Sequence, residues 1–68
     1  IKRNLNDNYG SIFYATKAIE IDQNFSNAYL NRGVAKENLG DMKGACKDWE
    51  KASSLGNQIT AKWVRDDC

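Results

Sequence analysis

The sequence contains no histidine and no proline, and it has only two cysteines among its 68 residues. Without histidine, it lacks both the commonest general base and the commonest metal ligand of proteins. Without proline, it lacks the residue that most strongly interrupts helices, which favours a helical chain. The formal net charge is +1, so no strong overall field attracts nucleic acid or an anionic membrane.

The groups needed for catalysis are also scarce. The sequence has no Gly-rich phosphate loop and no metal-ligand cluster. Asp66 and Asp67 are adjacent carboxylates, but neighbours on a helix point about 100° apart and do not converge as an acid/base pair. No apolar run approaches the roughly 20 residues of a membrane span. We therefore expect that the chain is not an enzyme and that it binds no metal, no cofactor and no membrane.

A series of lysines raises the question of nucleic-acid binding. Lys43, Lys47 and Lys51 recur every four residues, but Asp48 and Glu50 are interleaved with them. A nucleic-acid site would need a basic stripe with stacking aromatic residues between the charges. The pattern instead predicts a solvated helix face and no nucleic-acid partner.

The chain matches itself at an offset of 34 residues. A period of this length is typical of helix-turn-helix solenoid units. The matched pairs are Leu5 with Leu39, Asp7 with Asp41, Gly10 with Gly44, Lys17 with Lys51, Ala18 with Ala52, Ile21 with Leu55 and Tyr29 with Trp63.

Apolar residues spaced three and four apart predict a succession of helices. Residues 1–5 would be the tail of a helix whose body is missing, and no stretch alternates as a half-buried strand does. The pattern therefore predicts an all-α fold. The expected helices are one that Asp7 caps and that runs to Ile21, one over 27–39 capped by Ser26, one over 42–54 capped by Asp41 and a short one over about 58–67.

Small and aromatic residues recur at set positions across residues 28–57. The phrase Ala-Tyr-Leu-Asn-Arg-Gly occupies residues 28–33, and Leu-Gly-Asp follows at 39–41. This pattern resembles the tetratricopeptide repeat (TPR). Residues 49–63 also resemble the related Sel1-like repeat, which has the same α-solenoid architecture. The remaining matching positions are Lys36, Ala45, Trp49, Ala52 and Asn57, the last of which stands where proline is usual.

The TPR resemblance implies a single domain over residues 1–68, built as an α-solenoid of antiparallel helix pairs. It would contain about one and a half repeats. Residues 1–24 would be the second half of a truncated repeat, residues 25–57 a complete repeat, and residues 58–68 a C-terminal capping helix.

The resemblance also assigns structural roles. Gly33 and Ala45 would be small so that two antiparallel helices can approach closely. Tyr29 and Trp49 would fill the wedge between these helices, and Ala52 would leave room for the helix that follows.

Asn57 and Gln23 stand where proline is usual, and two further positions depart from the pattern. Lys36 stands where tyrosine is usual, and Ala15 occupies the place that Trp49 fills one repeat later. We expect Phe13 and Tyr14 to supply the missing bulk beside Ala15.

By the same resemblance, the chain is a non-catalytic protein–protein interaction scaffold that binds a peptide or protein segment on a concave face. Asn31 suits this role because one side-chain amide can both donate to and accept from a peptide bond. A hydrogen bond from Asn31 to a neighbouring helix is the alternative interpretation. The groove residues implied are Asn27, Leu30, Asn31, Val34, Glu37, Asn38 and Arg65.

Self-association is the alternative function. With the first helix of its repeat missing, the apolar face formed by Tyr9, Ile12, Phe13 and Ile19 would lack its cover. An exposed apolar face favours a dimer or a domain swap.

The two cysteines allow two interpretations. Cys46 lies nine residues before Leu55, and Cys68 lies about ten residues after the start of the next helix, so both reach the same level if the helices are antiparallel. A Cys46–Cys68 bridge is one interpretation. A buried free Cys46 with a terminal free Cys68 is the other, because level alone does not fix rotation about the helix axes. A bridge would indicate a periplasmic or exported protein, and free thiols a cytoplasmic one.

Overall fold

A computed structural model describes residues 7–68, and the regular secondary structure in that range is helical. The all-α prediction is therefore confirmed. The expected bounds of the last two helices agree with the structure, whereas the second helix begins one residue earlier than expected. The helical tail predicted over residues 1–5 lies outside the described residues. The helices are α1 (Asn8–Ile21), α2 (Ser26–Asn38), α3 (Met42–Ser54) and α4 (Gln58–Asp67).

The later two helices begin with side-chain caps. The Asp41 carboxylate accepts a hydrogen bond from the backbone N–H of Gly44 at 2.9 Å, as predicted for the start of α3. The Asn57 side-chain oxygen accepts from the backbone N–H of Thr60 at 2.9 Å at the start of α4. Such caps satisfy backbone donors that have no partner inside the helix. Asn57 therefore caps the start of α4.

The earlier two helices lack side-chain caps. Asp7 precedes α1, but its side chain forms no capping hydrogen bond. The prediction that Ser26 caps α2 is wrong, because Ser26 is the first helical residue and Phe25 occupies the cap position. Within the described residues, no side-chain hydrogen bond therefore stabilises the first turn of α1 or α2.

Glycines end α2 and α3. Gly40 has φ +86° and Gly56 has φ +101°, a left-handed conformation that side chains with a Cβ rarely adopt. Each glycine lets the chain reverse within a few residues, so that the next helix packs back on the one before it.

Each helix packs mainly on its neighbours in sequence, and these neighbours run antiparallel. Asn38 at the end of α2 donates a side-chain hydrogen bond to Asn8 at the start of α1, at 3.2 Å. A disulfide joins Cys46 in the first half of α3 to Cys68 immediately after α4. Both links connect the beginning of one helix with the end of the next.

The packed centre of the molecule lies between α2 and α3. Trp49 is 2% exposed, and Ala45 and Ala52 beside it are fully buried. A Cβ at Gly33 would overlap the Trp49 indole, so the contact requires glycine on α2. The Trp49 indole N–H donates to the backbone carbonyl of Leu30 at 3.3 Å, which satisfies its only polar atom.

Two further aromatic residues extend this centre. Tyr29 is buried, and its hydroxyl donates to the backbone carbonyl of Gln23 at 3.2 Å. The Trp63 ring meets the Trp49 ring edge-on, with centroids 5.0 Å apart. The contact between the two tryptophans ties α4 to the same core.

The disulfide interpretation of the two cysteines is confirmed. The Cα atoms of Cys46 and Cys68 lie 5.9 Å apart, and the bridge spans 22 residues of sequence. In the chain-entropy model, closing a loop of this length contributes about 3 kcal/mol. That is a large contribution for a chain whose size allows only a small core.

Candidate interaction site

A cluster of charges joins α2 to α3. The buried Asp48 carboxylate accepts two hydrogen bonds from Arg32, from Nε and Nη2, each at 2.9 Å. Lys36 Nζ lies 3.1 Å from the same carboxylate. The hydrogen bond to Asp48 raises the pKa of the Arg32 guanidinium above its ordinary value. The cluster fixes the position of α2 along α3.

The placement of Asp48 corrects the interpretation of the lysine series. Asp48 was expected among the solvated charges, but it turns towards α2 because it lies on the same face of α3 as the buried Ala45 and Ala52. Asp48 thus pairs with two cations of α2, Arg32 and Lys36.

A cavity of about 490 Å³ opens between α1 and α2. Alanines from both helices line it, with amides, two hydroxyls, one carboxylate and two aromatic rings around them. This mixture of apolar surface and a few polar groups is typical of binding sites. The lining residues are Asp7, Asn8, Ser11, Tyr14, Ala15, Ala18, Phe25, Ala28, Asn31, Val34, Ala35 and Asn38.

The structure places some of the predicted groove residues at the cavity and the others elsewhere. Asn31, Val34 and Asn38 line the cavity. Asn38 already donates to Asn8, whereas the exposed Asn31 side chain forms no hydrogen bond within residues 7–68. Within the described residues, the Asn31 amide is therefore left open at the cavity.

The other predicted groove residues lie outside the cavity. Asn27 is exposed, and Leu30 and Glu37 are half-buried on α2. Arg65 is exposed on α4. The structure thus brings together only part of the predicted set in one concave space.

The expectation that Phe13 and Tyr14 fill the space beside Ala15 is wrong. Phe13 is 56% exposed and Tyr14 is 72% exposed. Each helical residue is rotated about 100° from the next, so these side chains diverge from Ala15, and Tyr14 only borders the cavity that Ala15 also lines. Their rings pack on each other edge-on, 5.4 Å apart, and Lys17 Nζ lies 5.4 Å from the Phe13 centroid. Ala15 itself is buried, at 8% exposed, although neither ring covers it fully.

Comparisons with protein-family models, with curated proteins and with solved structures find no match to this chain. Within residues 7–68, no group of three or more His, Cys, Asp or Glu is arranged to hold a metal ion. None of the helices described there is long and apolar enough to cross a bilayer.

Proposed function

We propose that this chain is a protein-interaction module, a TPR-like segment of an α-solenoid, and not an enzyme. It binds a peptide or protein segment on the face of α2 that includes the cavity. The observation that carries the proposal is the open space of about 490 Å³ to which Asn31, Val34 and Asn38 contribute. Its volume lies within the range of roughly 300–1,000 Å³ found for ligand sites.

The chemistry of the cavity suits a polypeptide ligand. The free Asn31 amide can donate to a peptide carbonyl and accept from a peptide N–H. Ala18 and Val34, both half-buried, offer apolar surface at the cavity. The packing of Trp49 and Asp48 against α2 holds one wall in place, and a wall that is already ordered reduces the entropic cost of binding.

Peptide selection tests the proposal. Peptides selected from a random display library on the oxidised chain should bind with measurable affinity by isothermal titration calorimetry. Asn31→Ala should weaken them by about fivefold, the equivalent of one hydrogen bond of about 1 kcal/mol. The control is Lys47→Ala, which changes an exposed residue of α3. No selected binder, or binders that both variants weaken equally, would count against this use of the cavity.

A second candidate function is self-association through α1. The observation that favours it is the exposure of large apolar residues on that helix, with Tyr9 at 73% and Ile21 at 88%. Sedimentation velocity over a wide concentration range should then reveal a dimer, and Tyr9→Ser with Phe13→Ser should abolish it. A monomer at every concentration would dismiss this candidate.

We also propose that the chain works in an oxidising compartment, periplasmic or extracellular. The support is the Cys46–Cys68 bridge, since such bonds persist where thiols are not kept reduced. Rapid acid quenching of producing cells, followed by maleimide labelling, should detect no free thiol on the native protein. Two labelled cysteines would contradict the proposal.

A further inference from the structure

We propose that the chain carries an N-linked glycan on Asn24, in the turn between α1 and α2. The acceptor is the Asn24 side-chain amide, and the donor is an oligosaccharide carried on a lipid diphosphate. The inference rests on the proposed location of the chain in an oxidising compartment, because N-linked glycans belong to secreted proteins. It goes beyond the interaction function and concerns a separate part of the surface.

The residues around Asn24 match the acceptor pattern for this modification. Asn24-Phe25-Ser26 has the form Asn-X-Ser/Thr, in which X is any residue except proline. Asn24 is the one asparagine of the chain with a serine or threonine two residues later. The exposed Asn27 and Asn31 lack that hydroxyl residue. The pattern predicts a modification where the fold presents it at a surface turn.

The structure leaves both groups of the pattern available. Asn24 is exposed and lies between the end of α1 and the start of α2. Within residues 7–68, its side-chain amide forms no hydrogen bond. Ser26 is the first residue of α2, and its hydroxyl likewise has no hydrogen-bond partner in that part of the chain. A transferase can therefore reach the amide and the hydroxyl together.

The turn is held by contacts that do not use the Asn24 side chain. The backbone N–H of Asn24 donates to the Asp22 carboxylate at 3.0 Å, and the backbone N–H of Phe25 donates to the Asp22 carbonyl at 3.2 Å. The Tyr29 hydroxyl donates to the Gln23 carbonyl at 3.2 Å. Attachment of a sugar to the Asn24 amide thus breaks no hydrogen bond of the turn.

The reaction is a glycosyl transfer to the amide nitrogen. The Asn24 Nδ2 forms a bond with the anomeric carbon of the donor, and the bond from that carbon to the diphosphate oxygen breaks. The bonding electrons leave with the lipid diphosphate. One of the two amide protons passes to a base of the transferase, so that Nδ2 keeps a single hydrogen. The chain supplies the acceptor and the neighbouring hydroxyl, and the transferase supplies the catalytic groups.

Two apolar side chains beside Asn24 indicate what the glycan does. Ile21 is 88% exposed, more than any other large apolar residue in the described part of the chain, and Phe25 is 44% exposed. An N-linked glycan is bulky and solubilising. On this turn it covers apolar surface that would otherwise favour association with other molecules.

Mass spectrometry of the native protein tests the site. The protein is isolated from producing cells and digested with trypsin, which releases residues 18–32 as one peptide. We expect this peptide to carry the mass of a glycan. A peptide N-glycosidase should remove the glycan and convert the Asn24 amide to a carboxylate, which heavy-oxygen water labels at that residue.

Matched variants made in the same cells separate the two groups of the pattern. Asn24→Gln and Ser26→Ala should each lose the glycan completely. Ser26→Thr keeps the hydroxyl and should keep the glycan. The control is Asn27→Gln, which changes an exposed asparagine outside the pattern and should leave the modification unchanged.

The covering of Ile21 has its own measurement. The Asn24→Gln chain should bind more of an apolar fluorescent dye than the glycosylated chain, and Ile21→Ser should remove most of that difference. Equal dye binding by the two chains would overturn the covering role.

The remaining outcomes distinguish this inference from the proposed location. An unmodified peptide 18–32 from a protein with its disulfide intact overturns the inference and leaves the oxidising compartment standing. An unmodified peptide together with two free thiols overturns both. A glycan that persists on Asn24→Gln places the modification elsewhere and also contradicts the inference.

Discussion

The α2–α3 and α1–α2 interfaces are built from helices of nearly the same length, yet only the first is sealed. At the α2–α3 interface, an indole lies against Gly33 and the Asp48 carboxylate binds two cations. At the α1–α2 interface, alanines face a cavity of about 490 Å³. Antiparallel helix packing alone therefore does not close an interface.

Two residue exchanges account for most of the difference. At the 34-residue offset, Trp49 corresponds to Ala15, and Asp48 corresponds to Tyr14. The first exchange removes the bulk that fills the interface, and the second removes the anion that binds Arg32. The Arg32 guanidinium still reaches α1, where it donates to the Thr16 hydroxyl at 3.2 Å. For Arg32, α1 thus offers a neutral hydroxyl where α3 offers a carboxylate.

The largest expected effect tests the tryptophan. Trp49→Ala should lower the free energy of unfolding by about 4 kcal/mol, because it removes a large buried side chain and leaves a void. Trp63→Ala, at a half-buried position, should cost clearly less. Urea denaturation followed by circular dichroism measures both. If Trp49→Ala unfolds the chain, Trp49→Phe gives a folded comparison. Equal losses at the two tryptophans would refute the central role of Trp49.

The next effect concerns the disulfide, which secures the α3–α4 end of the molecule only. Reduction should lower the free energy of unfolding by about 3 kcal/mol, the loop-closure contribution of the bridge. Thermal denaturation with and without dithiothreitol measures the loss. The double variant Cys46→Ser, Cys68→Ser should match the reduced protein and no longer respond to the reductant. A variant as stable as the oxidised chain would show that the bridge adds nothing.

Much of the packing of α2, α3 and α4 could be predicted from the sequence. Strong local signals determine it: Asp41 before α3, glycines after α2 and α3, and apolar spacing across residues 42–54. The height of the cysteines on antiparallel helices made a Cys46–Cys68 bridge one of two interpretations, and the structure decided between them because level alone does not fix rotation about the helix axes. The other features depend on short-range geometry, which the order of residues specifies directly.

The α1–α2 interface and the charge cluster around Asp48 were harder to predict, because they depend on rotation about the helix axes. Asp48 was grouped with nearby lysines along the chain, although it lies three residues after Ala45 and four before Ala52. That spacing was the signal for a buried carboxylate. Phe13 and Tyr14 were expected beside Ala15 in space because they adjoin it in sequence, and on a helix adjacent residues diverge.

The charge cluster gives a smaller effect that separates buried from exposed carboxylates. Asp48→Asn should cost about 2 kcal/mol, because Arg32 and Lys36 keep their charges in a partly buried place without their anion. Glu50→Gln, at an exposed position of the same helix, should change the free energy of unfolding by less than about 0.5 kcal/mol. Equal costs, measured by urea denaturation, would place the Asp48 carboxylate in solvent instead.

The smallest expected effect concerns the residues before two helices, Asn57 before α4 and Asp7 before α1. Asn57→Ala should cost about 1 kcal/mol, because it removes the acceptor that binds the Thr60 N–H at the start of α4. Asp7→Ala should cost less than about 0.5 kcal/mol, since Asp7 makes no capping hydrogen bond at the start of α1. Both changes replace a polar residue before a helix, so the difference between them isolates the hydrogen bond. Urea denaturation of the oxidised variants measures it. A cost at Asp7 equal to that at Asn57 would mean that α1 is capped in solution, and the contrast between the halves would then rest on Trp49, Asp48 and the disulfide alone.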